Sequence, residues 1–264
     1  MDLELKEKVI IVTGGSKGIG YGICESLILE GATVVIIGRN KDSIPTAIKQ
    51  LSARGGNVGH AYAELTDPEA CKKAIDEVIN TYGTIDGLVN NAGVNDGVSL
   101  ADGNFELFNR SLQRNLIHYY MMAHYCLPAL KKSKGVIVNI GSKTAETGQG
   151  RTSGYAAANG GRNALTREWA VELLPYHIRV NAVIVAESFT PLYEKWIQQF
   201  PDPQAKRNAI EARIPFDNRM TTPREIGNTV AFLLSNQSSH TTGQLIHVDG
   251  GYTHLDRAIN PSSE

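Results

Sequence analysis

The sequence has little cysteine, no excess of either charge and no long apolar run, and each of these absences excludes a class of protein. Its three cysteines, Cys24, Cys71 and Cys126, are far apart, so we expect neither a disulfide framework nor a metal site. Lys and Arg number 26 against 27 Asp and Glu, a balance that lacks the basic excess typical of nucleic-acid binders. No apolar run approaches the roughly 20 residues of a membrane helix.

The first residues also lack a signal-peptide pattern, because charged residues alternate through 1–8 and a first apolar run follows at once. With reduced thiols, this predicts a cytoplasmic protein without a membrane or nucleic-acid partner. Glycine is the residue type in excess, at 26 of 264 positions, against a usual share of about 7%. The positions of these glycines therefore carry information.

Short apolar runs alternate with longer amphipathic segments along the whole chain, which is typical of parallel strands joined by helices. We predict one domain over residues 1–264, with a Rossmann-like, doubly wound parallel sheet of about seven strands and helices on both faces. The predicted strands are Val9–Val12, Val34–Ile37, His60–Leu65, Gly87–Asn90, Gly135–Ile140, Ile178–Val185 and Gln244–Val248. The predicted helices are Ile19–Leu29, Asp42–Ser52, Asp67–Tyr82, Phe108–Leu130, Gly154–Leu174, Leu192–Ala212 and Pro223–Leu234.

A glycine-rich loop, Thr13–Gly20, lies between the first strand and the first helix. Gly14 permits the sharp turn, Gly18 lets the backbone approach a ligand, and Gly20 lets the helix pack on the sheet. The helix N-terminus would then offer free N–H groups to a pyrophosphate. The spacing G-x-x-x-G-x-G differs from a P-loop. The alternative is an ordinary turn, but the position after a first strand favours dinucleotide binding.

The end of the second strand indicates which dinucleotide binds. NAD enzymes usually have a carboxylate there for the ribose 2′-hydroxyl, whereas this chain has Gly38-Arg39-Asn40. Arg39 could bind a 2′-phosphate, and Lys17 could supply a second positive charge. We therefore expect NADP as the preferred cofactor, with NAD possible, although both cations could instead be solvated. Asp42 is interpreted as the cap of the following helix.

Several motifs, taken in order, resemble the short-chain dehydrogenase/reductase family over nearly the whole chain. They are Thr13–Gly20, Asn90-Asn91-Ala92-Gly93, and Ser142 and Tyr155 at a spacing of thirteen residues. The resemblance implies an oxidoreductase that transfers hydride between a nicotinamide cofactor and an alcohol or carbonyl. It implies that Tyr155 is the acid/base and that Ser142 binds the substrate oxygen. Asn115 falls at the family's catalytic Asn and would support a water-mediated proton path.

The resemblance also implies two sets of binding residues and a substrate lid at about 188–215. The cofactor set is Gly14, Ser16, Lys17, Gly18, Ile19, Gly20, Arg39, Asn40, Glu64, Leu65, Asn91, Ala92, Gly93, Tyr155, Asn159, Val185 and Thr190. The substrate set is Asn95, Ser142, Lys143, Gln149, Tyr155 and Glu187.

One residue departs from the family pattern. The family has a lysine four residues after its tyrosine, where this chain has Asn159. Free tyrosine has a pKa near 10, and lowering it by about 3 units takes roughly 4 kcal/mol of phenolate stabilisation. A lysine at that spacing lies on the same helix face and supplies part of it. Asn159 can bind a ribose hydroxyl but carries no charge, so we expect the phenolate of Tyr155 to form less readily than usual.

Three interpretations of Asn159 remain open. The protein is an active enzyme with a lowered rate or a raised pH optimum, a substituted form of a normal enzyme, or a nucleotide-binding protein without turnover. Arg162 lies three residues beyond Asn159 and could offer a replacement charge. We expect instead that Arg162 points to solvent or to a subunit interface.

The loops after the fourth, fifth and sixth strands are unusually polar, which favours a hydroxylated substrate over an acyl chain. The stretches Asn90–Gly97, Asn115–Cys126, Ser142–Gly150 and His240–Arg257 resemble the L-fucose (aldose) dehydrogenase group. This resemblance implies oxidation of a sugar's anomeric hydroxyl to a lactone. A keto-reductase for another polar carbonyl, or solvated loops without such a role, are the alternatives.

No metal site is predicted, because His240, His247 and His254 lie in different elements and form no ligand cluster. His118 and His124, six residues apart, are interpreted as packing or interface residues. In the family, the two long helices pair across a dyad. The resemblance therefore implies a homo-oligomer, either a dimer or a tetramer.

Overall fold

Seven parallel strands form one sheet, in the order β3-β2-β1-β4-β5-β6-β7, with helices on both of its faces. The computed structural model describes residues 2–255, so the ends of the predicted domain 1–264 and of the stretch His240–Arg257 lie outside it. The predicted fold class is confirmed. The strands are β1 Val9–Thr13, β2 Thr33–Gly38, β3 Asn57–Tyr62, β4 Gly87–Asn90, β5 Val136–Ser142, β6 Arg179–Val185 and β7 Leu245–Val248.

Nine α-helices of four residues or more occur within 2–255, and α4 and α5 are joined into one stretch by a π turn at Gln113–Ile117. None of these helices is long and apolar enough to cross a bilayer. The helices are α1 Gly18–Leu29, α2 Ser43–Ser52, α3 Pro68–Tyr82, α4 Phe105–Leu112, α5 His118–Ser133, α6 Ser153–Glu172, α7 Pro191–Ile197, α8 Pro203–Glu211 and α9 Pro223–Leu234.

The sheet separates two apolar layers. On one face α3, α5 and α6 contribute Val78, Met122 and Trp169, and on the other α1 and α9 contribute Leu27 and Val230. All residues of β1, β4 and β5 are buried, because both sheet faces are covered. For this reason the sequences of these strands are largely continuous apolar runs, without alternation of apolar and polar residues.

The strand order reverses at β1, which pairs with β2 on one side and with β4 on the other. Connections that leave in opposite directions open a crevice beyond the carboxyl ends of these two strands. The glycine loop follows β1 and the segment Asn91-Ala92-Gly93 follows β4. Both predicted motifs therefore meet at the crevice.

Two predicted boundaries were wrong. The third strand is Asn57–Tyr62 rather than His60–Leu65, since it is a sheet-edge strand whose mostly exposed or half-buried side chains give little apolar signal. The segment Leu192–Ala212 contains two short helices instead of one, because the Asp202 carboxylate caps a new start next to Pro203.

The predicted cap of α2 was also wrong. The Asp42 side chain makes no capping hydrogen bond. Instead Asn40 Oδ1 accepts from the backbone N–H groups of Asp42 and Ser43, at 3.1 and 2.7 Å. Both residue types cap well, so composition did not distinguish them.

Candidate active site

A cavity of about 540 Å³ opens at the carboxyl edge of the sheet, where the strand order reverses. Asn159 is the one member of the predicted cofactor set that does not line it, since Asn159 is fully buried. The members that line the cavity are Gly14, Ser16, Lys17, Gly18, Ile19, Gly20, Arg39, Asn40, Glu64, Leu65, Asn91, Ala92, Gly93, Tyr155, Val185 and Thr190.

The glycine loop has a shape that side chains would prevent. Gly14 and Gly18 have φ of +67° and +55°, in the left-handed region that favours glycine. A Cβ on Gly20 would collide with the carbonyl oxygen of Gly14. Helix α1 begins at Gly18, and its N-cap, Lys17, makes no side-chain capping bond. The first N–H groups of α1 are thus left for a ligand, and the loop fits a pyrophosphate.

The segment after β4 is tied to this loop. The Thr13 hydroxyl oxygen accepts from the backbone N–H groups of Asn91 and Ala92, at 2.9 and 3.1 Å. The Asn91 side-chain amide donates to the Thr13 carbonyl oxygen at 2.8 Å. Asn91 therefore shapes the cavity wall through hydrogen bonds to the backbone beside the glycine loop.

At the far end of the cavity, Arg39 is paired rather than free. Its guanidinium donates to Glu64 at 2.5 Å, and the two side chains are 66% and 41% exposed. Burial acts to raise the pKa of Glu64, but hydrogen bonds from Arg39 and from Thr66 outweigh it and lower that pKa. A 2′-phosphate at this end would compete with Glu64 for Arg39.

Tyr155 and Ser142 come from neighbouring elements. Tyr155 lies in the first turn of α6 and lines the cavity, and nothing within residues 2–255 hydrogen-bonds its phenol. Ser142 ends β5, and its Oγ accepts from the backbone N–H and the hydroxyl of Thr144, at 3.3 and 3.1 Å. The hydroxyl hydrogen of Ser142 is therefore available to a substrate oxygen.

Arg162 points inward, and the expectation that it faces solvent or an interface was wrong. It is 3% exposed and lines the cavity. Its Nη1 donates to Asn159 Oδ1 and to the Ile140 carbonyl oxygen, both at 3.1 Å. Tyr155, Asn159 and Arg162 follow a spacing of i, i+4 and i+7, which places them on one helix face.

Asn115 is fully buried at the centre of the π turn. Its Oδ1 accepts from the Val94 backbone N–H at 2.7 Å, and its carbonyl oxygen accepts from Arg162 Nε at 2.6 Å. A π turn displaces backbone carbonyls from the α-helical pattern and is frequent at functional sites. Asn115 thus lies behind the cavity lining and binds Arg162, which lines the cavity.

Two ionisable groups on α5 lie beside this wall. His118 is buried, as its interpretation as a packing residue predicted, and burial followed by the charge of Arg162 lowers its pKa to about 3. Burial raises the pKa of Tyr119 to about 12, and its hydroxyl donates to the Ile140 carbonyl oxygen at 3.0 Å. Both side chains are therefore neutral at physiological pH.

Lys143, directly after Ser142, forms a network with Glu187 and Tyr193, and none of these three side chains lines the cavity. Lys143 Nζ donates to Glu187 Oε1 at 2.5 Å, and the Tyr193 hydroxyl donates to Glu187 Oε2 at 2.6 Å. Burial and the negative charge of Glu187 raise the pKa of Tyr193. Lys143 is only 8% exposed, so it is not a solvated loop residue. Tyr193 lies in the lid predicted at about 188–215, but its bond to Glu187 was not predicted.

The other two predicted substrate residues are more exposed. Asn95 lines the cavity, and its Oδ1 accepts from the Gly97 backbone N–H at 3.3 Å. Gln149 is exposed, and its side chain has no hydrogen bond within the described part of the chain. The structure therefore groups Lys143 and Glu187 but leaves Gln149 apart.

The prediction that the C-terminal histidines form no cluster was wrong for two of them. His247 Nε2 lies 3.0 Å and His254 Nε2 lies 4.0 Å from Glu146 Oε2. One ligand atom from each of these residues lies within 4.8 Å of the others. The loop after β7 brings His254 back to His247, a return that sequence spacing does not reveal.

The fold and the cavity define a class: parallel α/β proteins that bind a dinucleotide where the strand order reverses. Residues 14–253 match the family model described as Enoyl-(Acyl carrier protein) reductase. The chain belongs to the short-chain dehydrogenase/reductase family. Members of this family are oxidoreductases that act on CH–OH groups with nicotinamide cofactors.

Individual relatives differ in their substrates. The chain is 33% identical to 3-oxoacyl-[acyl-carrier-protein] reductase FabG of Thermotoga maritima, over 94% of this chain and 99% of the relative. It is 32% identical to L-fucose dehydrogenase of Bos taurus, over 92% and 88%. A crystal structure described as Cj0485 dehydrogenase superposes with a TM-score of 0.94 at 45% identity, over 99% and 100%.

Proposed function

We propose that the protein is an NADP-preferring dehydrogenase that oxidises the anomeric hydroxyl of an aldose, such as L-fucose, to the lactone. The observation that carries the proposal is the cavity itself. The uncapped N-terminus of α1 and the unpaired phenol of Tyr155 both line this cavity. A pyrophosphate at the first and a reacting alcohol at the second would suit a dinucleotide-dependent oxidation.

Oxidation breaks the C–H bond of the anomeric carbon, which loses a hydride, and the O–H bond of its hydroxyl, which loses a proton, and a C=O bond forms. A bound nicotinamide cofactor supplies the hydride acceptor. In its phenolate form, Tyr155 Oη takes the hydroxyl proton. Ser142 donates its free hydrogen to the substrate oxygen and fixes its position.

The preference for NADP depends on Arg39 and Lys17, which both line the cavity. Each can form a charge-assisted hydrogen bond with a 2′-phosphate. Glu64 reduces this preference because it already binds Arg39. We therefore expect NADP to bind more tightly than NAD by a modest factor.

The sugar assignment depends on the network of Lys143, Glu187 and Tyr193. A charged network of the buried Lys143 and the half-buried Glu187 favours a ligand with several hydroxyls, since an acyl chain would cover these groups without offering hydrogen bonds. The similarity to the Bos taurus L-fucose dehydrogenase supports the same class of substrate. The segment 188–215, which contains Tyr193, is proposed as the lid over this pocket.

A panel assay tests the function. Aldoses are offered with NADP or NAD between about pH 7 and 10.5, a range that spans tyrosine ionisation, while cofactor reduction and lactone are measured. We expect oxidation of a subset of aldoses, faster with NADP. Tight cofactor binding without any oxidation would instead support a nucleotide-binding relative without turnover.

Reduction of a polar ketone is the second candidate. The Thermotoga maritima relative, named as a 3-oxoacyl reductase, favours it. Offering small polar ketones with NADPH in the same assay separates the candidates. Ketone reduction at a rate well above aldose oxidation would replace the first proposal with the second.

We also propose a homo-oligomer, a dimer or tetramer, in the cytoplasm. Exposed apolar side chains lie on α5 and α6 or at their ends, including Ile117, Tyr120, Val171 and Leu174. Pairing of such helices with a second copy would cover these side chains. The three thiols are free and buried, which suits a reducing compartment. Light scattering of the purified protein tests the assembly.

A further inference from the structure

Arg162 carries a buried positive charge without a negative partner. Its guanidinium bonds are to neutral oxygens, on Asn115, Ile140 and Asn159. No carboxylate within residues 2–255 lies within 4.0 Å of it, and its Nη2 is buried without any hydrogen bond. The ring of Tyr119 covers one side, at 4.2 Å from the guanidinium carbon.

Such a charge is expensive to keep. Removing a guanidinium from water is unfavourable, and hydrogen bonds to neutral carbonyls offset this cost only in part. A negative charge that forms in the same cavity would recover part of this cost. Tyr155 lines that cavity, and its phenol is a group that can become negative there.

We propose that Arg162 is a positioning residue whose charge stabilises the phenolate form of Tyr155, and that Asn159 holds the guanidinium in place. The inference rests on the proposed function, because the phenolate is the proton acceptor. Asn159 donates to the Tyr155 carbonyl oxygen at 2.9 Å and accepts from Arg162 Nη1 at 3.1 Å. The uncharged side chain of Asn159 therefore connects the helical turn that carries Tyr155 to the guanidinium of Arg162.

The hydrogen bonds of Arg162 span the elements that carry the predicted catalytic residues. Nε binds the carbonyl oxygen of Asn115 in the π turn, while Nη1 binds Ile140 in β5, two residues before Ser142, and Asn159 in α6. A Cβ on Gly93 would lie 2.9 Å from Nη2. The absence of a side chain at Gly93 therefore leaves room for the guanidinium at the cavity wall.

Other ionisable groups face the cavity or its substrate side, and none replaces Arg162. His118 and Tyr119 on α5 are neutral because of their shifted pKa values. Apart from Lys17, the remaining charged groups are already paired. These pairs are Arg114 with Asp96 from the π turn and the β4 loop, Lys143 with Glu187 beyond β5 and β6, and Arg39 with Glu64 beyond β2 and β3. Lys17, exposed in the glycine loop, is at the pyrophosphate end.

Four variants separate the effect of the Arg162 charge on Tyr155 from a structural effect of the side chain. R162Q removes the charge but keeps a polar side chain, and N159D places a carboxylate on Arg162 Nη1 without touching the arginine. N159K/R162Q moves the cation to one helical turn from Tyr155. R167Q, at an exposed arginine of the same helix, is the matched control. Thermal melting checks the folding of each variant.

The pH profile of the oxidation rate is the first readout. We expect the midpoint of its alkaline rise to move upward by about one pH unit or more in R162Q and N159D. Rates near neutral pH would then fall about tenfold, and recover at high pH. The double variant N159K/R162Q should return the midpoint toward the wild-type position, and R167Q should leave it in place.

A second readout does not depend on the substrate. The phenolate absorbance of each protein is titrated against its Y155F counterpart, which isolates Tyr155 from the other tyrosines. An upward shift in R162Q and N159D supports the proposal, even if no aldose is oxidised and the proposed function fails. If R162Q does not fold, R162K and R162M replace it: R162K keeps the charge and should leave the titration in place, and R162M removes the charge and should move it upward. An unmoved titration in the folded variants would overturn the role of Arg162.

Discussion

We propose two ends for the active site, one for the pyrophosphate and one for the substrate, and these ends are built in different ways. The pyrophosphate end is shaped by backbone: Gly14 and Gly18 adopt left-handed φ values, and Gly20 leaves no space for a Cβ. The substrate end is shaped by side chains that pair with one another, as Lys143 does with Glu187. Backbone conformation is determined by nearby residues in the sequence, whereas side-chain pairing depends on residues that are distant in the sequence. The ligand class of the pyrophosphate end can therefore be inferred from the local sequence. The ligand class of the substrate end cannot, because it depends on which side chains pair in the fold.

Loss of the phenol should have the largest effect. In Y155F the proton acceptor is absent, and general acid–base catalysis contributes about 10²- to 10⁴-fold. We expect turnover to fall by about 10³-fold, while NADPH binding, measured by fluorescence, changes less than about twofold. Equal losses of rate and binding would contradict the separation between the two ends.

A methyl group in the glycine loop should disturb the backbone-built end. In G20A the new Cβ meets the Gly14 carbonyl oxygen, and such overpacking costs about 1–3 kcal/mol. We expect NADPH affinity to fall by about ten- to a hundredfold. Gly160, also helical, has nothing within 4 Å of its Cβ position. G160A is therefore the control, and an equal loss of affinity there would refute the steric argument.

The glycine loop and the family motifs could be predicted from the sequence because they are contiguous and their spacing is local. The direction of Arg162 could not, although its spacing of i+7 from Tyr155 was a usable signal. An arginine on a buried helix face is unusual, which favoured the solvent interpretation. The pair of Arg39 and Glu64 joins residues 25 apart in sequence. The return of His254 to His247 is likewise a product of tertiary structure.

The side-chain-built end should respond to the loss of one charge. In E187Q, Lys143 and Tyr193 lose their shared acceptor charge. We expect KM for the aldose to rise by about tenfold, since one hydrogen bond to a charged group contributes about 1.5–3 kcal/mol. The dissociation constant of NADPH should stay unchanged. E194Q, at an exposed lid position, is the control, and an equal change there would assign the effect to the lid.

Releasing Arg39 should have the smallest effect. In E64Q the guanidinium loses its carboxylate partner and is available to a 2′-phosphate. Exposed ion pairs contribute about 0.2–1 kcal/mol, so NADPH should bind about 1.4- to fivefold more tightly. NADH binding serves as the internal control and should not improve. Weaker NADPH binding would show that Glu64 itself contacts the cofactor.

A crystal structure of this chain grown with NADP tests the account most directly. We predict the pyrophosphate against the N-terminus of α1, the 2′-phosphate beside Arg39, and the nicotinamide ring within reach of the Tyr155 hydroxyl. A dinucleotide bound elsewhere, or a cavity that stays empty at saturating NADP, would contradict the account.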